Sequence, residues 1–371
     1  MKATDINFNA TNYKFLEEEN VGHNRILKGA LFVGENASGK TQILKSITLL
    51  LDLLFGNNDI NFLLNKSFYT KKETYSLKYC FVIDNIEINY EIELGMEKIV
   101  KEKLQVSDKI ILDRLGNTAQ FNYNETKTYN DLTDRLVFLR RIYFDTQFYG
   151  DKILNKWFEF LKNSVYINCY SRQITTYNNR SLLVDEYLDE NGTNSINDFF
   201  QKINYKQEIK YETETRNQDG NFNVKSNNDM KFVSFKKDGT DIYIPSAFES
   251  TGNLTLIQLL PVFIHAINNE CMLIVDEFSS GFHNELEECL IKYFNHYSKN
   301  SQLIFTSHST NILNNTIIRP DQIYSVSFNP NIGTTLKRFS EEMPREAQNT
   351  EKMYLTGVFD GMPRYNKIFK D

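Results

Sequence analysis

Cysteine is scarce in this chain, and long apolar runs are absent from it. Only 4 of the 371 residues are cysteines. They lie far apart, mostly within apolar stretches, so the sequence predicts neither a disulfide framework nor a zinc site and favours a reducing, cytoplasmic setting. No stretch approaches the ~18 apolar residues of a membrane-spanning helix, and the first residues do not form a basic segment followed by an apolar one. We therefore expect no membrane partner and no secretion signal.

A strong excess of charge of one sign is also lacking. The net charge is −6, from 42 basic and 48 acidic residues. This balance argues against a protein whose whole surface grips nucleic acid, although a local basic groove is compatible with it. Apolar heptad repeats are missing too, so no long coiled coil is expected.

The most specific pattern is a glycine-framed loop between an apolar strand and a helix. Residues 34–41 read Gly-Glu-Asn-Ala-Ser-Gly-Lys-Thr, the spacing of a loop whose backbone N–H groups surround a phosphate at a helix N-terminus. Lys40 would reach the β- and γ-phosphates, and Thr41 would place its hydroxyl on Mg²⁺. The predicted nucleotide-binding residues of this loop are Gly34, Asn36, Ser38, Gly39, Lys40 and Thr41.

Two later strands end in polar side chains that complete such a site. The apolar run at residues 271–275 is followed by Asp276 and Glu277. Asp276 would hold Mg²⁺ through its hydration shell, and Glu277 would polarise the attacking water. His308 follows another apolar strand at residues 302–307. Because the carboxyl ends of parallel strands meet at one edge of a sheet, we expect His308 near the γ-phosphate.

Between these elements the spacing of the apolar residues changes. Alternating runs at residues 75–83 and 86–94 predict a hairpin, and two further strands are predicted after it, so we expect an antiparallel layer. Residues 132–163 return to helical spacing, with Leu136 and Phe144 among the predicted core side chains. Polar hairpins are predicted between residues 205 and 244, with turns at 218–221 and 237–239.

These patterns predict an α/β fold of the P-loop NTPase class, with an antiparallel β layer and an inserted helical lobe. The first part of the ATPase core is predicted at residues 1–135. Residues 136–248 are predicted to form the inserted lobe of helices and hairpins. Residues 249–371 would form the second part of the core.

The three strand ends resemble those of the ABC-type ATPase family. The resemblance includes the stretch at residues 249–253 before the acids and Ser-Ser-Gly at residues 279–281 after them. The resemblance implies a signature in which Ser250 and Gly252 bind the γ-phosphate held by an opposite subunit. Thr251 stands where that family usually has glycine. The resemblance also implies that His308 is the switch histidine and that a glutamine contacts Mg²⁺, for which Gln147 and Gln173 are both candidates.

Within that superfamily the chain resembles the small bacterial AAA15/AAA21-type ATPases, relatives of OLD-family and abortive-infection ATPases. The stretches that carry this resemblance are GENASGKT, IFTSHSTNIL and the late YLTGVFDGMP at residues 354–363, so it spans nearly the whole chain. It implies an ABC-ATPase-like mixed sheet and the cofactors ATP and Mg²⁺.

The function implied by the resemblance is an ATPase that hydrolyses ATP to ADP and phosphate. It would form a homodimer or a higher homo-oligomer around ATP. It would control a separate nuclease or toxin effector in anti-phage defence by abortive infection, since the residues after His308 show no acidic cluster suited to a two-metal nuclease.

Other functions stay open. One is a clamp ATPase of the chromosome-maintenance type that binds DNA ends directly, against which the missing heptads count. Another is a nucleotide-dependent scaffold or sensor with slow turnover. A GTPase is disfavoured because no Asn-Lys-x-Asp motif, which reads guanine, occurs.

Overall fold

The computed structural model describes residues 5–56, 60, 74–95, 97–178, 180–216, 223–226, 230–236, 239–280 and 283–362. The chain divides into two compact units: Met1–Lys40 with Ser164–Asp371, and Thr41–Asn163. The predicted boundaries lie after residues 135 and 248 and differ from the boundaries of these two units. The division of the chain into those three predicted segments stays a prediction.

Strands and helices alternate in groups along the described residues. The strands, in chain order, are β1 (Gly29–Gly34), β2 (Thr74–Ile83), β3 (Ile86–Gly95), β4 (Ile99–Val106), β5 (Lys109–Leu115), β6 (Thr118–Asn122), β7 (Thr126–Tyr129), β8 (Val165–Asn168), β9 (Gln173–Thr176), β10 (Ile209–Glu212), β11 (Glu214–Arg216), β12 (Asn223–Lys225), β13 (Phe232–Lys236), β14 (Tyr243–Pro245), β15 (Met272–Asp276), β16 (Gln302–Thr306), β17 (Ile323–Asn329) and β18 (Gly333–Arg338). The α-helices are α1 (Glu17–Asn20), α2 (Lys40–Phe55), α3 (Phe138–Thr146), α4 (Lys152–Lys162), α5 (Val184–Asn191), α6 (Asn194–Lys202), α7 (Thr251–Asn268), α8 (Asn284–Tyr297) and α9 (Thr350–Leu355).

A seven-stranded sheet forms the centre of the first unit, in the order β18-β17-β1-β16-β15-β8-β9. The five inner strands are parallel, and the two outermost strands are antiparallel to their neighbours, so the sheet is mixed, as the resemblance implies. Strand β15 is buried along its whole length, which explains its continuous apolar run, because both faces of a parallel sheet are covered. The carboxyl ends of the inner strands therefore meet at one edge.

A six-stranded antiparallel meander, β2 to β7 in chain order, forms the sheet of the second unit. The predicted first hairpin is confirmed: Asp84 and Asn85 connect β2 and β3 with positive φ values of 49° and 66°, the conformation of a tight hairpin turn. One side of the sheet buries apolar side chains of its central strands. The other side carries charges of alternating sign at paired positions, where Lys78 faces Glu91 and Glu91 faces Lys103.

Two of the side chains predicted to lie in the core of this unit are exposed. Leu136 is 48% exposed and Phe144 is 57% exposed, so the prediction is wrong for both. Leu136 precedes α3, which begins at Phe138. The buried positions of α3 are 138, 139, 142 and 143, and Phe144 is rotated off this face, where the Arg140 guanidinium lies 5.6 Å from its ring centroid.

The predicted polar hairpins are present as two small sheets of the first unit. One has the order β10-β13-β14, and the other pairs β11 with β12. Residues 218–221 and 237–238, predicted as turns, lie outside the described residues. Strands β8 and β9 fall within the predicted lobe but belong to the seven-stranded sheet.

The N-terminal segment is tied to this sheet by a buried ion pair at the start of β17. The guanidinium of Arg319 contacts the carboxylate of Asp321 through Nε at 2.9 Å and Nη2 at 2.8 Å. Both side chains are fully buried. Arg319 also donates to the backbone oxygens of Thr11, Tyr13 and Phe15.

Candidate active site

The loop at residues 34–41 joins the carboxyl end of β1 to the start of α2. Its backbone leaves the common conformations at Ala37, with φ 62°, and at Gly39, with φ 105°. Gly34 has no space for a side chain, because a Cβ atom there would lie 2.3 Å from the Val326 carbonyl oxygen. A Cβ atom at Gly39 would lie 2.4 Å from the Thr334 hydroxyl. Both glycines of the motif are thus required by the packing of the loop.

The Ser38 hydroxyl is enclosed by this loop without a partner of its own. Ser38 is 1% exposed, and among the described residues its Oγ has no hydrogen-bond partner. Buried hydroxyls are normally paired. The backbone oxygen of Ser38 is in contrast held by the Thr334 hydroxyl at 3.0 Å. The side chain is therefore suited to bind a group that enters the loop.

Lys40, the first residue of α2, lies folded over the loop. Its Nζ donates to the backbone oxygens of Gly34 at 2.9 Å and of Glu35 at 2.8 Å. Burial lowers the pKa of the ammonium, and the carboxylates of Asp276, Glu277 and Glu35 oppose this shift. The charge of Lys40 is thus held in the loop and faces the acids of β15. Thr41 follows as the second residue of the helix, and Asn36 lies in the loop.

Asp276 ends β15 and is buried among donors from both neighbouring strands. Its Oδ1 accepts from the Thr306 hydroxyl at 2.7 Å. Its Oδ2 accepts from the Asn168 amide at 3.3 Å and from the Tyr166 hydroxyl at 3.4 Å. A carboxylate has roughly four acceptor positions, so these three donors leave capacity for a further ligand.

Glu277 follows in a left-handed conformation, with φ 55°. This region is uncommon for residues other than glycine, and such residues occur often at functional sites. The backbone N–H of Glu277 donates to the Thr306 hydroxyl at 2.8 Å, and that of Phe278 donates to the Thr306 carbonyl at 2.9 Å. The turn that directs the Glu277 side chain is therefore fixed by Thr306.

His308 lies two residues beyond the carboxyl end of β16 and is exposed. Its backbone N–H donates to the Ser279 hydroxyl at 3.2 Å, which joins it to the loop after the acids. Partial burial of the ring and the charge of Lys40 lower the pKa of the imidazole, and Asp276 opposes this shift. The ring is therefore mainly neutral at pH 7. The structure thus brings Lys40, Asp276, Glu277 and His308 to one edge of the sheet.

Ser250 and Gly252 lie at the N-terminus of α7 and not at the strand ends that carry this group. Ser250 is the exposed N-cap of α7, where its Oγ accepts from the Asn253 N–H at 3.2 Å. Gly252 is in the first turn of the same helix. Among the described residues, no hydrogen bond joins Ser250 to the phosphate loop. Gly281, expected in the loop after the acids, lies outside the described residues.

Sequence reasoning missed the residues that surround Asp276. Thr306 lies directly before the predicted polar residues Ser307 and His308, so its strand-end position was a usable signal. Asn168 and Tyr166 gave no such signal, because only the pairing of β8 with β15 brings them to the acid. Gln173, one of the two glutamine candidates, pairs with Asn168 across β8 and β9.

A nucleotide with Mg²⁺ fits the chemistry of these residues. The unpartnered Ser38 hydroxyl, the positively charged Lys40 and the start of a 16-residue helix suit phosphate oxygens. The remaining acceptor capacity of Asp276 suits a hydrated cation that prefers oxygen ligands. Among the described residues, this site included, no group of three or more His, Cys, Asp or Glu side chains could hold a metal ion by itself.

Comparison with known proteins gives the family. A family model described as "AAA domain, putative AbiEii toxin, Type IV TA system" matches residues 30–314, more than half of the chain. The chain belongs to this AAA21 family of P-loop ATPases. The resemblance to AAA21-type ATPases and the predicted fold class are therefore confirmed. Within the described part of this AAA21 chain, no helix is both long enough and apolar enough to span a membrane.

The individual proteins to which this AAA21 chain is similar share little sequence identity with it. It is 26% identical over 368 residues to "Endonuclease GajA" of Bacillus cereus (strain HuB5-5), covering 77% of this chain and 52% of that protein. The chain thus spans about half the length of this curated relative. Among solved structures, it is similar to the SMC head domain from Thermotoga maritima, with a TM-score of 0.46, 14% identity and coverage of 83% and 89% of the two chains. It is also similar to an SMC head bound to the C-winged helix domain of ScpA, with a TM-score of 0.49, 14% identity and coverage of 86% and 94%.

Proposed function

We propose that this AAA21 chain binds ATP with Mg²⁺ and hydrolyses the ATP to ADP and phosphate. The observation that carries the proposal is the meeting of three strand ends at one edge of the sheet. The phosphate loop follows β1, the two acids end β15, and His308 follows β16. Burial is the main cause of the lowered pKa values of Lys40 and His308, and the charge of Asp276 acts on both groups.

Each side chain of the group has a role in the proposed reaction. The N–H groups of the loop, Lys40 and Ser38 would bind the phosphate oxygens, and Gly34 and Gly39 would let the backbone approach them closely. Asp276 and Thr41 would hold Mg²⁺, which when bound neutralises phosphate charge. Glu277 would orient the attacking water and accept its proton on a carboxylate oxygen.

His308 would bind on the side of the terminal phosphate. Because its ring is mainly neutral at pH 7, it can offer one N–H donor to a phosphate oxygen without adding a full charge. Its link to Ser279 would connect this donor to the loop after Glu277, so the two side chains would be positioned together.

Two substitutions test the proposal. Lys40→Ala removes the charge held in the loop and should abolish ATP binding. Glu277→Gln keeps the shape of the side chain but cannot accept a proton, so it should retain ATP and lower steady-state phosphate release by about 10² to 10⁴-fold. Binding is measured by equilibrium titration with ATP, and turnover by phosphate release.

Matched controls lie near the amino ends of two strands of the same sheet. Lys299→Ala and Glu270→Gln change exposed residues just before β16 and β15, and both variants should behave as wild type. Unchanged phosphate release by Glu277→Gln would contradict the assignment. ATP binding that depends on Lys40, with no turnover above the Glu277→Gln rate, would instead indicate a nucleotide-dependent sensor.

We further propose that ATP joins two copies of the chain, each phosphate loop facing Ser250 and Gly252 of the other copy. The support is the position of Ser250, which is exposed at the N-terminus of an 18-residue helix and, among the described residues, forms no hydrogen bond with the phosphate loop of its own chain. A helix N-terminus favours phosphate groups. Higher homo-oligomers are compatible with the same contact.

The output of this cycle would be control of a separate effector nuclease in anti-phage defence. The support is indirect. The description of the family names an AbiEii toxin and a Type IV TA system, and the relative GajA is named an endonuclease. The test is to co-express this chain with the product of the adjacent open reading frame. ATP-dependent co-purification and growth arrest that respond to Glu277→Gln are expected, and indifference of the neighbour to this variant would contradict the role.

A further inference from the structure

The hydroxyl of Thr306 forms hydrogen bonds with both acidic residues of the site. It donates its hydrogen to Oδ1 of Asp276 at 2.7 Å and accepts the backbone N–H of Glu277 at 2.8 Å. A threonine hydroxyl has one donor and two acceptor positions, so the same oxygen serves two adjacent residues. Thr306 is 1% exposed, and water has little access to replace either bond.

The two bonds differ in what they fix. The bond to Asp276 orients a side chain, and it is much shorter than the bonds from Asn168 and Tyr166 at 3.3 and 3.4 Å. The bond from the Glu277 N–H fixes a backbone with φ 55°, a conformation that persists only when its surroundings enforce it. The backbone oxygen of Thr306 adds a third contact by accepting from the Phe278 N–H.

The place of Thr306 in the sheet explains why it can do this. It is the last residue of β16, and its register partner on β1 is Phe32, two residues before Gly34. Strand β16 lies between β1 and β15. The residue therefore stands between the strand that leads to the phosphate loop and the strand that carries the acids.

We propose that Thr306 is a positioning residue that sets the direction of Asp276 towards the cation and of Glu277 towards the attacking water. The inference rests on the proposed function and adds a residue to it. Thr306 need not touch the nucleotide or the cation. Its loss should therefore affect the use of Mg²⁺ and the rate of turnover more than the binding of ATP itself.

Two substitutions separate the hydroxyl from the rest of the side chain. Thr306→Val keeps the branched shape that suits a strand and removes both bonds. Thr306→Ser keeps the hydroxyl and removes only a methyl group. Thr176→Val is the matched control, because Thr176 ends β9 opposite Val165 and so lies at the amino edge of the same sheet.

The experiment measures Mg²⁺ dependence without turnover. A fluorescent, non-hydrolysable ATP analogue is titrated in EDTA and then at increasing Mg²⁺. Thr306→Val should bind the analogue in EDTA as wild type does, but should need about 10 to 100-fold more Mg²⁺ for half of the Mg²⁺-induced change. In parallel, kcat for ATP should fall by a similar factor. Thr306→Ser and Thr176→Val should stay near wild type in both measurements.

The outcomes distinguish this inference from the proposed function. If wild type binds the analogue in a Lys40-dependent way and Thr306→Val has the same Mg²⁺ requirement, the positioning role is overturned alone. Equal loss in the serine and valine variants also overturns it, because the hydroxyl would not be the cause. If wild type shows no Lys40-dependent binding, the proposed function fails and this inference fails with it.

Discussion

The hydroxyl groups of Ser38 and Thr306 are both buried, but they differ in their hydrogen bonding. The Ser38 hydroxyl is buried without a partner among the described residues, whereas the Thr306 hydroxyl both donates and accepts. An unpaired buried hydroxyl is unfavourable until a ligand supplies its partner. A doubly bonded hydroxyl stabilises the geometry before any ligand arrives. We therefore expect the Ser38 hydroxyl to serve ligand binding and the Thr306 hydroxyl to hold the geometry of the site before a ligand binds.

The buried Asp321 makes the stability of the first unit depend on pH. Burial alone would raise the pKa of its carboxyl, but the bonds and charge of Arg319 and the bonds from Thr11 hold the pKa below its ordinary value. A lowered folded-state pKa stabilises the fold above the unfolded-state pKa of about 3.9. This contribution is lost as the pH falls through that range towards the folded-state pKa.

We predict that Asp321→Asn weakens the fold at pH 7 by about 3–5 kcal/mol, because it leaves the buried Arg319 without its partner. The loss should shrink as the pH falls below about 4, where wild type loses the same interaction. Urea unfolding between pH 7 and pH 3 measures both effects. Asp198→Asn, at an exposed position of α6, is the control, and an identical pH dependence of Asp321→Asn and wild type would refute the prediction.

At the residue scale, the sequence predicted which side chains lie together where the signal was local. Asp276, Glu277 and His308 could be picked out because each follows an apolar strand, and the structure places them at one edge. Tyr166 and Asn168 lie 110 and 108 residues before the acid that they contact. No local pattern encodes such a contact, because it depends on which strands become neighbours.

At the scale of elements, α3 begins without a capping side chain of its own. Its N-cap residue Val137 accepts no hydrogen bond through its side chain. Instead Glu102 of β4 accepts from the N–H groups of Phe138 at 2.7 Å and Leu139 at 2.8 Å. The same carboxylate meets Arg114 Nη1 at 3.4 Å, and both charged side chains are fully buried. A strand thus supplies the cap that the helix sequence lacks.

We predict that Glu102→Leu destabilises the second unit by about 3–5 kcal/mol, because it leaves the buried Arg114 without its anionic partner. The double variant Glu102→Leu with Arg114→Met should recover only part of the loss, because the two amides at the start of α3 still lack an acceptor. Denaturant unfolding measures these values. Asp113→Asn, beside Arg114 but exposed, should change stability by less than about 0.5 kcal/mol. Full recovery by the double variant would show that Glu102 is not the helix cap.

The sequence predicted elements best where periodicity and turn chemistry agreed. The hairpin of β2 and β3 has both, with ten residues in each strand and an Asp-Asn turn. Strands β6 and β7 were missed because they are short, with five and four residues, and mostly polar. Their place is set by pairing with β5 rather than by their own pattern.

At the scale of the whole molecule, the proposed dimer can be separated from nucleotide binding. Ser250→Arg should leave binding of a non-hydrolysable ATP analogue to the monomer intact and block ATP-driven dimerisation, because a large cation would replace the exposed helix cap. Light scattering after size-exclusion chromatography, with and without the analogue, gives the oligomeric state. Ser181→Arg places the same side chain at another exposed serine and should still dimerise.

Loss of monomer binding in Ser250→Arg to the same degree as in Lys40→Ala would rule out a site shared between two copies. Loss of the helix cap alone costs about 1 kcal/mol, so the fold should survive the change. Thermal unfolding of the nucleotide-free protein checks this point.

The strand order of the seven-stranded sheet also limits which internal segments of the chain can be deleted. Thr41–Asn163 leaves the first unit at the carboxyl end of β1 and returns at the amino end of β8, with β16 and β15 lying between those strands. The two points lie at opposite ends of strands that are three inter-strand spacings apart in the sheet. One strand length and three spacings give a separation on the order of 20 Å. Parallel strands also need a connection of about a dozen residues or more. The segment is therefore a crossover and not a loop insertion, and a deletion variant closed by a short glycine linker could not reproduce the remaining sheet.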